Sequence, residues 1–385
     1  MLKKILILMI LAIIFISSCS KSPDKAAKVE MIEGIEYIHN PETPLFPERK
    51  LLLTEELDIR NEDEEGNVIL YRPGWFVVDR QGKIYAPDYQ ERCVKAFDPD
   101  GRFIQTIGKE GSGPGEFQNI GEIALLPDDS PLVLDWEAKR ISIFNPDGDF
   151  VTSHKYKNWS YDIFLTTDSI YVRDERIFGP ETQLLINAYD FSGKELFSFG
   201  HFTPSHSQFI NEGGVQFSVS LPFDVHSIKA GDQKNKWLYH CLNDKFLIEV
   251  FDINGKIFRK IDRPYKLLPV MDADKTRYLD GFSDLSENER RAIEKNVEMP
   301  KVKTVMDRML VDDEGSLWIE THEEQDIDGQ VLTAYDIFNE KGFYAARVWL
   351  EVRPLFFMKG KIYSYKTDEE TGYRTLMVYR MHWSE

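Results

Sequence analysis

Cysteine is almost absent from this chain, with three residues in 385. That is too few for the disulfide framework that holds a small exported fold together. Cys93 and Cys241 stand far apart, each inside an apolar strand-like stretch, and read as small buried residues rather than a bonded pair. Histidine is scarce too. None of the eight falls in a His-x-x-x-His or Cys/His pattern with zinc-ligand spacing, and His201 and His206 are only a weak pair in one stretch. There is no Gly-x-Ser-x-Gly elbow and no phosphate loop followed by Lys-Ser/Thr. Basic charge is in deficit: 47 Lys and Arg stand against 65 Asp and Glu, for a net charge of −18. This argues against nucleic acid, which is held mainly by basic patches. It also disfavours electrostatic docking on an anionic membrane. Beyond the first residues, no apolar run approaches a membrane span.

What the chain has in plenty is one short phrase: an aromatic residue, Asp or Asn, two further residues, then Gly. It occurs at Phe97 to Gly101, Phe144 to Gly148, Tyr189 to Gly193, Phe251 to Gly255 and Phe338 to Gly342. Each copy lies between apolar runs and predicts a hairpin turn, with Gly supplying the positive φ. The copies are 47, 45, 62 and 87 residues apart. The first two intervals suit a propeller blade of about 40–50 residues, and the longer two contain insertions. A second set of turns precedes the apolar runs at 83–86, 132–134, 170–172, 237–239, 317–319 and 362–364, making six units. The pattern predicts an all-β, six-bladed β-propeller of four-stranded blades. The sixth unit runs out of chain after three strands. The stretch 50–59 (KLLLTEELDI) is assigned as the N-terminal strand that closes the ring by pairing with the last blade.

The N-terminus is a targeting segment. Lys3 and Lys4 precede an apolar stretch at 5–16, too short for a comfortable span, and small residues follow. Ile16-Ser17-Ser18-Cys19 resembles the lipobox of bacterial lipoproteins. The resemblance implies cleavage of residues 1–18, acylation of Cys19 and a cell-envelope location, with the membrane contacted through the lipid alone. Residues 19–29 read as a flexible tether and 30–385 as the propeller, with a helical insertion at about 275–300.

The run from Gly108 to Phe117 (GKEGSGPGEF), with the IYAPD of 84–88 and the VLDW of 133–136, resembles the phrases of NHL repeats. The chain is similar to the bacterial lipoproteins of the six-bladed β-propeller, NHL-like group, clearly in its first two units and weakly in its fourth and fifth. That resemblance implies fold and export and little chemistry. The Gly-rich run reads as a connector between blades.

In a four-stranded blade, the loop after the second strand and the connection to the next blade emerge on one face. The enlarged segments, 200–223, 262–302, 173–183, 320–333 and 366–373, all belong to that face, which is therefore the expected binding face. Ser286-Glu287-Asn288-Glu289 is a capping box that starts a helix in the largest insertion, either a lid or a rim helix. Candidate binding residues at the ends of second strands and the starts of inner strands are Arg72, Asn119, Trp136, Trp159, Arg173, Asp174, Asp224, Arg308 and Glu320. Asp88, Asp135, Asp174 and Glu320 are candidate ligands for Ca²⁺ or another divalent metal, since converging carboxylates suit an oxygen-seeking cation. Asp88 and Asp135 fit a structural role at least as well, capturing backbone N–H groups of a turn. Trp136 and Trp159 could stack on a sugar or a peptide, or cap the core.

The leading expectation is a lipid-anchored, non-catalytic binding or scaffold propeller that presents a one-sided loop face and a central channel to a protein, peptide or glycan. The alternatives are a metal-dependent, lactonase-like hydrolase or lyase, and a structural part of an envelope complex.

Overall fold

The computed structural model describes residues 27–59, 69–71, 73–167, 170–178, 182–212, 215–282, 285–368 and 374–384. The targeting segment with Cys19, nearly all of the tether, and Arg72 lie outside the described residues.

Six sheets, antiparallel except for one strand added to the fourth, follow one another along the chain. The first consists of Val77–Val78, Ile84–Asp88, Cys93–Phe97 and Phe103–Ile107. The second begins at Ile120–Leu125, the third at Ile163–Thr167, the fourth at Ser227–Asp232, the fifth at Arg308–Val311 and the sixth at Phe356–Met358. The first strands of neighbouring sheets touch across blades 1 to 5, so these are the inner strands of a propeller. The last blade takes three strands from the C-terminus, and its outer strand is Leu51–Ile59, antiparallel to Arg374–Trp383 from Leu51↔Trp383 to Ile59↔Leu376.

The repeated phrase forms these blades by two local devices. Its Asp or Asn side chain captures the backbone of its own turn. Asp98 Oδ1 accepts from the N–H groups of Asp100 and Arg102 at 2.9 and 2.8 Å, and Asn339 Oδ1 accepts from Lys341 and Phe343 at 3.0 and 3.1 Å. Its Gly then lets the turn seat against the outer strand of the preceding blade. Gly101 has φ +79°, and a Cβ there would lie 2.8 Å from Ile59 of blade 6. Gly342 has φ +82°, and a Cβ would lie 2.9 Å from Ile261 of blade 4. Positive φ and close approach together make Gly the fitting residue.

The core is a ring of six apolar clusters, one per blade interface. Leu134 and Ile141 of blade 2 meet Ile163 and Tyr171 of blade 3, and Tyr239 and Ile248 of blade 4 meet Met309 and Phe338 of blade 5. Ile59, Leu376 and Val378 of blade 6 meet Phe76 and Ile84 of blade 1, which carries the ring across the chain's two ends. Cys93 and Cys241 are buried free thiols.

Three features were not legible beforehand. Lys28–Ile32 and Ile35–His39 form a hairpin around Glu33 and Gly34, both at positive φ. This hairpin begins inside the stretch expected to be tether, and its second strand adds in parallel to Ile257–Asp262, giving blade 4 six strands. His39 Nδ1 lies 2.8 Å from Asp262 Oδ2, and Asn40 bridges to blade 5 through Gly342 O and Tyr344 N. The segment 200–223 is not an open loop but a hairpin, Ser207–Glu212 with Val215–Ser220. The segments starting at 173 and 320 are largely strand as well, because Ile170–Ile177 and Leu317–Ile327 run on past the body of the blade.

The insertion 262–302 holds two helices, Asp272–Asp280 and Glu287–Asn296. Ser286 caps the second: its Oγ accepts from Glu289 N at 3.4 Å, and Glu289 Oε2 accepts from Ser286 N at 2.8 Å. The first helix lacks a conventional cap side chain, and Asp274 Oδ2 accepts from Met271 N at 2.8 Å instead. Ala292 and Ile293 of the second helix pack on Ile210 and Val219 of the inserted hairpin, with Tyr278, Leu279 and Phe282 around them. The two largest insertions therefore form one cap. Among the described residues, no helix is long and apolar enough to cross a membrane.

Candidate functional site

Under the cap lies a cavity of about 650 Å³. Its walls come from the blade 3–4 connection (Ser205, His206, Phe223, Asp224), the first cap helix (Arg277, Tyr278), the blade 4–5 connection (Lys303, Thr304, Asp307) and the long ribbon of blade 5 (Glu320, His322, Glu324). These segments lie on the face of enlarged connections and second-strand loops.

The polar side chains of the lining are held in place. Arg277 donates from both terminal nitrogens to Glu324, at 2.7 and 3.0 Å. Lys303 Nζ bonds Asp274 Oδ1 at 2.6 Å. Burial pushes the Asp274 carboxyl up, but the Lys303 bond and the Met271 N–H outweigh it, and it sits below its ordinary range. Arg353 pairs with Glu320 at 2.9 Å and also with Asp307. His206 Nδ1 is 3.0 Å from Asp224 Oδ1, and the His206 N–H also donates to that carboxylate, at 2.6 Å. His322 Nε2 is 2.9 Å from Thr304 Oγ1, and burial pushes this imidazole down, favouring its neutral form. Phe223 stands edge-on to His322 at 5.1 Å with Lys303 Nζ 5.4 Å from its ring, and its φ is +50°. A bulky residue held in the left-handed region is strained, and such strain persists where the surroundings over-determine it.

The sequence candidates divide into three groups. Asp224 and Glu320 line the cavity, and Arg308 stands behind it, donating to Glu320 Oε2 at 2.7 Å. Trp136 and Trp159 meet elsewhere on the same face, with ring centroids 5.6 Å apart, beside Asn119, whose carbonyl accepts from Trp136 N. The third group is embedded. Arg173 is 3% exposed, lies mid-strand because its strand continues to Ile177, and donates to Glu175 and Tyr189 between the rings of Tyr156 and Tyr189. It belongs to blade 3 rather than to the binding face.

The proposed metal carboxylates do not fit a shared ion. Among the described residues, no three His, Cys, Asp or Glu side chains are grouped to hold one. Asp88 accepts from the N–H groups of Tyr71, Gln90 and Glu91. Asp135 accepts from those of Gln118, Asn119 and Ala138, and Asp174 from Ser160 Oγ and the N–H groups of Tyr161 and Asp162. Each ties the second strand of its blade to the start of the inner strand of the same blade. Glu320 is neutralised by Arg308 and Arg353. The glycine run forms a connector wrapped around its own Glu116, which accepts from Gly113 N at 2.8 Å.

Sequence reasoning missed Tyr161, 6.0 Å from Trp136, and the cap residues Arg277 and Lys303. It also missed three charges on the inner strands and their starts. Lys229 pairs with Asp162, and Ile163 N donates to Glu122 at 3.2 Å. Burial together with the Asp162 charge pushes Glu122 well up. Asp162, against the effect of its own burial, is held down by Lys229. An irregularity between Ile120 and Ile123 interrupts the alternation at this point, so no local pattern marked Glu122.

Comparison with known proteins agrees with the fold. The family model DUF5128, described as a 6-bladed beta-propeller, matches residues 77–172. No curated protein matches. A member of the DUF4221 family from Bacteroides vulgatus is similar in structure, with a TM-score of 0.52 at 11% identity, covering 87% of this chain and 99% of that one. A protein from Bacteroides fragilis is similar with a TM-score of 0.50 at 10% identity, covering 86% and 95%. At such identities the likeness shows the fold alone. The chain is an all-β, six-bladed β-propeller.

Proposed function

We propose that this protein is a ligand-binding propeller of the cell envelope, anchored by lipid on Cys19, which holds its ligand between the cap and blades 4 and 5. One observation carries the reading: the two largest insertions, from different blade connections, fold onto each other and roof a cavity of about 650 Å³. That volume lies in the usual range of small-ligand sites. Surface insertions are tolerated anywhere on a rigid scaffold, whereas two that share an apolar core and roof a cavity build a specific site. The lipobox-like Cys19 and the NHL-like phrases support export, and the net charge of −18 argues for a partner other than nucleic acid.

Two measurements test this. In cells, Cys19→Ala is expected to move the protein from the membrane fraction to the soluble fraction, and retention in the membrane would refute the anchor. With the soluble body, residues 27–385, a thermal-shift screen of peptides and glycans is expected to find a class that raises the melting temperature. Ser220→Trp, which fills the cavity wall, is expected to abolish that rise. An unchanged rise in the filled variant would place binding elsewhere.

A further inference from the structure

We propose that the ligand is a neutral oligosaccharide, with one end under the cap and its following sugar units on a platform made by Trp136, Trp159 and Tyr161. The inference rests on the pocket reading above and extends it to a ligand class and length.

The first argument is charge. Each of the three lysine or arginine side chains of the cavity wall, Arg277, Lys303 and Arg353, is engaged by a carboxylate of the same wall. No unopposed cation remains among them to draw an anionic ligand, and Asp224, the wall carboxylate without a lysine or arginine partner, is engaged by the His206 ring and backbone N–H. What such a wall offers is fixed acceptors and donors with spare hydrogen-bonding capacity, the complement of hydroxyl groups, each of which both donates and accepts. Salt bridges within the wall hold these groups still before a ligand arrives, which lowers the ordering cost of binding.

The second argument is the aromatic platform and its continuity with the cavity. Trp136 lies 5.6 Å from Trp159 and 6.0 Å from Tyr161, and Tyr161 is 39% exposed. The three side chains come from the end of the second strand of blade 2 and from the blade 2–3 connection, so they stand on the cavity's own face. Arg176 joins the two regions. Its guanidinium is 5.2 Å from the Tyr161 ring centre and donates to Ser205 Oγ at 3.4 Å, and Ser205 lines the cavity. Arg176 N also donates to Trp159 O at 2.7 Å, which fixes the Trp159 backbone to blade 3. Lys139 Nζ lies 4.8 Å from the Trp159 ring centre, as Arg176 lies against Tyr161, so hydrogen-bonding groups flank the rings. Rings flanked in this way suit a pyranose, whose C–H face is apolar and whose rim is polar. A single sugar would occupy only part of the cavity of about 650 Å³ and leave the platform unused, whereas a chain of several units spans both.

The test uses the soluble body, residues 27–385, and calorimetric titration with ladders of one to six units of α-glucan, β-glucan, mannan and galactan. One ladder is expected to bind, with affinity rising at least tenfold between one and four units. Trp159→Ala is expected to remove that rise while changing single-unit affinity less than twofold. Trp159→Phe, which keeps a ring and guards against a folding defect, is expected to retain most of it. Arg277→Ala is expected to weaken short and long ligands alike. Length-independent affinity, or an unchanged length dependence in Trp159→Ala, would overturn the platform. Binding of peptides or of uronic-acid oligosaccharides in place of neutral ladders would overturn the oligosaccharide and leave the capped pocket standing. Failure of every class to bind would overturn both.

Discussion

Replacing Asp336 by Asn should be among the most damaging single changes to this fold. Asp336 is fully buried in the third strand of blade 5. Its carboxylate accepts from Arg347 Nε at 2.7 Å, from Tyr344 Oη at 2.6 Å and from Arg263 Nη2. Arg347 has a second partner in Glu323 at 2.7 Å. Arg263 has none among the acidic side chains described, its side chain is 3% exposed, and the rings of Phe246 and Tyr344 lie 4.6 and 4.9 Å from its guanidinium. The amide keeps the shape and removes the charge, so a guanidinium that cannot deprotonate is left in an apolar setting. Breaking a buried pair in this way costs about 3–5 kcal/mol. Urea unfolding of residues 27–385, followed by tryptophan fluorescence, reads the cost as a lower midpoint at unchanged slope. Adding Arg263→Met should recover part of the loss, because removing both partners costs far less than removing one. As a control, Glu287→Gln breaks the exposed Glu287–Arg291 pair and should cost under about 0.5 kcal/mol. A loss below about 1 kcal/mol for Asp336→Asn, or no recovery in the double variant, would refute the account of this cluster as a charge-balanced staple.

Glu249 should give stability a pH signature. Its bond with His240, helped by Lys260, outweighs burial and lowers its pKa from 4.5 to about 2. Between those values the unfolded chain binds the proton more readily, so this contribution is complete above pH 4.5 and lost as pH falls toward 2. Glu249→Gln should therefore lower the melting temperature at pH 7 and converge with the parent near pH 2; a constant difference across that range would contradict the assignment. Burial pushes both the Cys93 and the Cys241 thiol up to about 12, so neither should react with a maleimide at pH 8 until denaturant is added. Rapid labelling of the native protein would show that one of these strands opens.

The blade count was readable from the chain because each blade is made by local rules: an Asp or Asn that captures its own turn and a Gly that permits close approach. The cap helix at Ser286 was readable for the same reason, since a capping box acts over three residues. At Asp88 and Asp135 the turn-capturing role set against the metal reading is the one the fold uses, and Asp174 shares it. Backbone N–H groups at the start of the inner strand occupy these carboxylates, and one residue type serves both purposes. Arg173 failed on strand length, because alternation along a strand does not reveal where pairing stops. The N-terminal hairpin was hidden by its parallel seat on a strand more than 200 residues away.

The sequence by itself determined the repeat, its period, the hairpin turns and the face on which the insertions emerge, since all of these depend on contacts within a few residues. Tertiary structure alone decided that two insertions from separate connections meet as a cap, that Arg277, Lys303 and Arg353 are all spoken for by carboxylates, and that Trp136, Trp159 and Tyr161 share one platform. Those relations join side chains brought together by closure of a ring. No local spacing encodes them, because the distances depend on how six sheets pack around one axis.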